Sequence, residues 1–136
     1  MTSITVEYTG DYHCRAVHGP SGQTLTTDLP QDNGGKGEFF SPTDLVPTAL
    51  ATCILTIMAK VAERRNVDLT GVRAELVKDM AADPDRRIGT IRTVLHMPAG
   101  LDEKDQTILE RAALTCPVHR SLAGSIDLPI EFRYGE

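Results

Sequence analysis

The stretch Ser41-Pro42-Thr43-Asp44-Leu45, continued by VPTALATCILTIMA over 46–59, decides how this chain folds. Ser41 can cap a helix, and Pro42 suits the first helical position, where a missing N–H costs least. Asp44 stands where a capping box wants an acid or amide. Pro47 is still within the first turns, where it is tolerated. From Leu45 to Ala59 the residues are apolar or small on every face, and the polar end comes at Lys60 and Glu63-Arg64-Arg65-Asn66. The pattern predicts a helix running to about Arg65. A helix hydrophobic all round is a buried one. A chain of 136 residues has little with which to cover it on all sides. A partner subunit is the remedy, so a homodimer is expected.

On the N-terminal side, Ile4, Val6 and Tyr8 alternate with polar residues, the pattern of a half-buried strand. Thr9-Gly10-Asp11 reads as a turn, His13 to His18 as a second strand, Gly19-Pro20-Ser21-Gly22 as another turn, and Thr24 to Asp28 as a third strand. Leu29 to Phe40, with Pro30, Asn33, Gly34, Gly35 and Gly37, reads as a mobile loop. It lacks the spacing and terminal Lys-Ser/Thr of a phosphate-binding loop. On the C-terminal side, Val72–Met80 and Ile88–Met97 flank Asp83-Pro84-Asp85 and fit a long hairpin. Asp102 or a neighbour caps a second helix with Ile108, Leu109, Ala112 and Ala113 on one stripe. Cys116-Pro117 interrupts that helix, and Val118 to Leu122 fits a further helical turn. Ile126, Leu128, Ile130, Phe132 and Tyr134 then alternate as a last strand. The order predicts an α+β protein with helices packed on antiparallel sheet.

Composition narrows the function. The net charge of −5 and the scattered Lys and Arg disfavour a general nucleic-acid binder. Forty per cent of residues are hydrophobic, but there is no Trp, so aliphatic side chains must fill the core. The N-terminus Met1-Thr2-Ser3-Ile4 has no basic region followed by an apolar run, so no signal peptide is expected. The apolar stretch Leu45–Ala59 falls short of the roughly 20 residues of a bilayer span. The reading is a cytoplasmic protein with no membrane partner.

Three cysteines remain: Cys14, Cys53 and Cys116. An odd count without a signal peptide is no secreted disulfide framework. In a reducing compartment a disulfide that does form is more often catalytic or redox-sensing. Cys14, between His13 and Arg15 in a strand, reads as a packing residue. Cys53 lies within the apolar helix, where a free Cys often serves as a small hydrophobe. Cys116 precedes Pro117 at a helix break. As an N-cap its sulfur would face free backbone N–H groups, which lowers a thiol pKa, and His119 and Arg120 would act the same way if they point inward. No C-x-x-C or H-x-x-x-H spacing organises Cys53, Cys116, His13, His18, His96 and His119 into a metal site, so none is expected.

A loop leading into Ser41-Pro42-Thr43-Asp44-Leu45, a small-residue-rich helix carrying Ala51-Thr52-Cys53, and Cys116-Pro117-Val118 behind an amphipathic helix resemble the OsmC/Ohr superfamily. These are the osmotically inducible protein C and organic hydroperoxide resistance proteins. Tyr8-Thr9-Gly10, Pro20-Ser21-Gly22, Gly34-Gly35 and the final strand extend the likeness over nearly the whole chain. The resemblance implies one OsmC-like domain over residues 1–136. It implies an antiparallel sheet packed on two main helices, and two chains intertwined with the long central helix buried between them. It implies thiol-dependent reduction of organic hydroperoxides, and of hydrogen peroxide, in oxidative stress defence. In that chemistry Cys53 is the peroxidatic thiol and Cys116 the resolving one, with an external dithiol of lipoyl type as reductant and no cofactor. Family members with strong activity carry a Glu just after the Pro that opens the helix, and an Arg soon after the N-terminal Thr-Gly turn. Here Thr43 stands in the Glu place beside Asp44, and Tyr12 in the Arg place. Arg15 and Arg120 are the candidate substitutes for that Arg, and Thr43, Asp44 and His119 the other supporting residues. The start Ser-Pro-x-acid-Leu is closer to a less-characterised OsmC-like branch. That branch implies the alternative, a redox-sensing or small-molecule-binding protein with little turnover.

Overall fold

The computed structural model of the chain describes residues 1–135. Two compact units divide it, Met1–Val46 and the part from Pro47 onward. In the first, strands β1 (Ile4–Gly10), β2 (His13–His18) and β3 (Thr24–Thr27) form an antiparallel meander in the order β1-β2-β3. Asp11 and Tyr12 turn the first hairpin with φ of 54° and 65°, the left-handed pair whose twist matches the strands it joins. The alternation in β1 is as read, but its apolar face stands open: Ile4, Val6 and Tyr8 are all exposed. The loop from Leu29 to Phe40 is tied rather than loose. A 3₁₀ turn at Gln31–Asn33 opens it, Gly35 and Gly37 donate back to Pro30 and Leu29, and Asp28 N–H donates to Phe40 O at 3.1 Å. A Cβ at Gly35 would run into the Leu29 carbonyl, so only glycine closes this loop.

Helix α1 (Pro42–Glu63) begins where the capping box placed it. Ser41 Oγ accepts from Asp44 N, and the Asp44 carboxylate accepts from Ser41 N at 2.9 Å. It ends on Asn66 in the left-handed conformation (φ 58°), with Val67 N–H donating to Ala62 O and Asn66 N–H to Glu63 O. That double bond satisfies the last carbonyls in the Schellman manner.

The second unit holds strands β4 (Arg73–Ala81) and β5 (Arg87–Met97), an antiparallel hairpin as read. Then come α2 (Glu103–Ala113), α3 (Pro117–Leu122) and β6 (Ile130–Tyr134). Asp102 caps α2 by accepting from Asp105 N at 2.8 Å. Strand β6 lies parallel to β5, with Thr93 opposite Ile130 and Met97 opposite Tyr134. This sheet, in the order β4-β5-β6, is therefore mixed rather than antiparallel. The physical reason is the connection: α2 and α3 carry the chain back across, which a parallel pair requires. The strand is also shorter than its alternation suggested. Pro129 cannot donate to a ladder, and Ile126–Leu128 reaches β5 through an isolated bridge, Thr90 to Asp127.

The core of this unit collects Leu50, Ile54 and Met58 from α1, Ile91, Leu95 and Met97 from β5, and Leu109 and Ala113 from α2. Only one stripe of α1 is buried, Pro47, Leu50, Ala51, Ile54, Met58 and Ala62. Ala49, Thr52, Thr56 and Ala59 are exposed, so the helix read as buried all round is covered on one side by its own chain. At 22 residues α1 runs nearly as far as its pattern predicts, beyond the apolar stretch Leu45–Ala59 at both ends. By length and composition alone it meets the measure of a bilayer span, with 33% of its most apolar window buried inside the structure. A core helix of a globular protein passes the same test, and the fully buried Leu50, Ile54 and Met58 are what such a helix contributes.

Candidate active site

Cys53 and Cys116 come from separate elements of the second unit. Cys53 sits mid-way along α1 and is half-buried. Cys116 is fully buried and ends the stretch that follows α2. The break at Cys116 is set locally. Pro117 lacks an N–H and takes the first position of α3, with Cys116 as N-cap in an extended conformation (φ −62°, ψ 134°). The Cys116 Sγ accepts from His119 N at 3.1 Å, and the Val118 N–H also points at it. These are the second and third N–H groups of α3, the two that an N-cap acceptor normally takes. The thiol of Cys53 is a near neighbour of that of Cys116, close enough to bear on its ionisation. All three cysteines are free thiols, and Cys14 lies half-buried in β2 opposite Tyr8 and Thr27.

The N-cap geometry at Cys116 is as read, but its expected consequence is reversed. Burial pushes the Cys116 thiol above its ordinary value of 9.0. The His119 and Val118 N–H groups pull the other way, while the neighbouring Cys53 adds to the rise. Desolvation of a thiolate outweighs two backbone donors here. The leading causes are burial, the His119 and Val118 N–H groups and Cys53, none of them a cationic side chain. Arg120 is exposed, and His119 is half-buried toward Ile126, Asp127 and Pro129. What His119 supplies is its backbone N–H. The reading missed Val118 because the N-cap rule names a position, not a side chain.

The remaining candidates belong to the first unit. Arg15 is exposed on β2, between Glu7 of β1 and Thr26 of β3. Thr43 and Asp44 occupy the first turn of α1. Both bond within that turn: the Asp44 carboxylate accepts from Ser41 N, and Thr43 Oγ1 lies 3.2 Å from Ser41 Oγ. The structure thus brings Cys53, Cys116 and the His119 backbone together.

A raised thiol pKa has a consequence for stability. The folded chain keeps a proton at Cys116 that the unfolded chain gives up. The contribution is full below about pH 9 and is lost as pH rises from there toward the folded-state value. Tyr134 acts in the same direction, because burial and its hydrogen bond to the Glu110 carboxylate (2.6 Å) raise its phenol. Under reducing conditions the urea midpoint should fall between about pH 8 and about pH 10. The fall should be smaller in Cys116→Ala. An equal fall in both chains would show that this thiol does not titrate as described.

The chain matches the family model of OsmC-like proteins over residues 35–131. It is similar to a Psychrobacter arcticus 273-4 protein named for osmotic stress induction and detoxification response. That match has 43% identity over 98% of this chain and 96% of the other, with a TM-score of 0.91. An OsmC-like protein from Mycoplasma pneumoniae has a TM-score of 0.84 at 15% identity, covering 100% of this chain and 98% of that one. An organic hydroperoxide resistance protein OsmC from Legionella pneumophila has a TM-score of 0.75 at 20% identity, covering 97% and 96%. The last two likenesses are of fold.

Proposed function

The chain belongs to the OsmC-like protein family, and on that premise we propose that it reduces organic hydroperoxides, and hydrogen peroxide, through Cys53 and Cys116. One observation carries this reading: two free thiols from separate elements lie side by side in the second unit. A thiolate at Cys53 attacks the peroxide oxygen, releasing an alcohol and leaving a sulfenic acid. The Cys116 thiol condenses with it, forming the disulfide and releasing water. An external dithiol, of lipoyl type by family likeness, restores both thiols by exchange. No cofactor is needed, because the electrons come from that dithiol. The order of the thiols is the one that family likeness implies, and burial supports it. Cys116 stays neutral to higher pH than an ordinary thiol, so its S–H can donate to a Cys53 thiolate and help to stabilise it.

In this reading the whole chain, residues 1–136, is one domain, since α1 runs unbroken from the first unit into the second. The working form is a cytoplasmic homodimer in which a partner covers the open side of α1. That side is suited to burial. Thr52 Oγ1 donates to Thr48 O and Thr56 Oγ1 to Thr52 O, so both hydroxyls are already satisfied within the helix.

A second reading, a redox sensor that keeps the two thiols but turns over slowly, is favoured by one feature. The acid at the helix start, Asp44, is taken up in the capping box, and Thr43 stands where active relatives place a Glu. Intact mass measurement separates the cases. One equivalent of cumene hydroperoxide added to the reduced chain should remove two hydrogens, mapped to a Cys53–Cys116 linkage. Sustained peroxide loss with excess dithiol supports the peroxidase, and a disulfide without turnover supports the sensor. Oxidation that leaves Cys53 and Cys116 unlinked would sink both.

A further inference from the structure

The first unit contains a cluster that neither thiol uses. His13, at the start of β2, meets Asp28, just beyond β3, and Glu38, in the loop that follows. The His13 Nε2 lies 3.6 Å from Asp28 Oδ2 and 3.9 Å from Glu38 Oε1. One donor atom from each residue falls within 4.8 Å of the others. The Nε2 atom is buried and has no hydrogen-bond partner among the described residues, since both oxygens lie beyond hydrogen-bond range. A buried imidazole nitrogen aimed between two carboxylates without bonding either is unusual, because buried polar atoms are normally satisfied.

We propose that His13, Asp28 and Glu38 bind one first-row divalent transition-metal ion of the zinc class. Bonds of about 2.0–2.2 Å to nitrogen and oxygen put the ligands of a tetrahedral ion roughly 3.3–3.6 Å apart. The two separations from His13, 3.6 and 3.9 Å, need to close by only a few tenths of an ångström, while the carboxylate pair, within 4.8 Å, closes as the exposed Glu38 side chain swings inward. The donor set selects the class: an imidazole with two carboxylates suits zinc, manganese or iron(II), whereas calcium and magnesium take oxygen alone. Three protein ligands leave a fourth position for water or another ligand.

The surroundings are those of a built site. The Asp28 side chain is only 1% exposed, and its two oxygens accept from Leu29 N at 2.7 Å and Glu38 N at 3.0 Å. Those bonds fix the carboxylate as outer-shell partners fix a metal ligand. The Glu38 N–H, the Leu29 N–H and the nearby His13 outweigh burial and hold Asp28 below the usual carboxylate range. The Phe39 ring stands edge-on to the imidazole, with centroids 5.6 Å apart and planes at 78°, which sets the ring's orientation. A bound ion would staple the loop carrying Glu38 onto β2.

Cobalt(II) titrated into the metal-free, reduced full chain tests the proposal, because its visible bands report the donors. The expected result is one ion per chain, with ligand-field bands and no thiolate-to-cobalt charge transfer, displaced by zinc. His13→Ala and Glu38→Gln should each weaken binding by more than the roughly tenfold loss of an outer-shell partner. Glu38→Gln keeps the backbone N–H that Asp28 accepts, so it tests the ligand without dismantling the loop. Three outcomes would overturn the proposal. These are no saturable binding, equal binding in the wild type and Glu38→Gln, or a thiolate band showing that cobalt prefers the cysteines.

Discussion

Cys53→Ser should reduce peroxide consumption by about a thousandfold or more, to the background of the dithiol alone. A serine hydroxyl is not ionised at neutral pH and cannot take the peroxide oxygen as a thiolate does. The size of the loss matters less than its contrast with Cys116→Ser. In that variant Cys53 keeps its thiol and the serine hydroxyl still offers it a donor, so a single equivalent of peroxide should still be consumed in a burst. The sulfenic acid then has no neighbour with which to condense, and it should persist long enough to be trapped by dimedone at Cys53. The asymmetry comes from Cys116, whose burial keeps it a neutral thiol and makes it a donor before it is a nucleophile. Rapid-mixing kinetics check this. A burst in Cys53→Ser and none in Cys116→Ser would reverse the roles.

What the sequence made legible follows the range of the forces involved. Helix α1 was readable because Ser41, Pro42 and Asp44 act within one turn, and the capping box forms as spaced. The N-cap at Cys116 was readable for the same reason, since Pro117 and the next two N–H groups are neighbours in the chain. The direction of the Cys116 pKa was not. It depends on burial among residues from other elements, and no local pattern reports how much water reaches a sulfur. The parallel seating of β6 was equally hidden, because alternation tells which face of a strand is buried but not which way its neighbour runs.

The His13, Asp28 and Glu38 cluster shows the limit most plainly. Metal motifs are recognised when ligands share a turn or a helix face. Here one ligand comes from a strand, one from just past a strand end and one from a loop. Even the loop misled, because its glycines read as mobility. In the structure Gly35 is instead what lets the chain pass close to the Leu29 carbonyl.

Thr56→Glu should separate the proposed homodimer into single chains while leaving each folded. Position 56 is exposed in the single chain, beside exposed Thr52 and Ala59 on the side of α1 away from Leu50 and Ile54. Glu is also a better helix former than Thr, so an isolated chain loses little. If a partner covers that side, each protomer buries one unpaired carboxylate. Leaving a buried charge uncompensated costs about 3–5 kcal/mol, and a two-fold interface presents it twice. Even one such cost weakens association by more than about a hundredfold. Sedimentation velocity over a concentration series should therefore give two-chain particles for the wild type and single chains for the variant. Circular dichroism should be unchanged between them. A wild type that sediments as one chain would remove the dimer from the reading. A variant that still pairs would mean that the open side of α1 is not where the partner sits. Expected exposure of the threonine side in the single chain and its protection in the dimer are two views of one fact. The hydroxyls at Thr52 and Thr56 are bonded inside the helix, so methyl groups are what that side offers to a second copy.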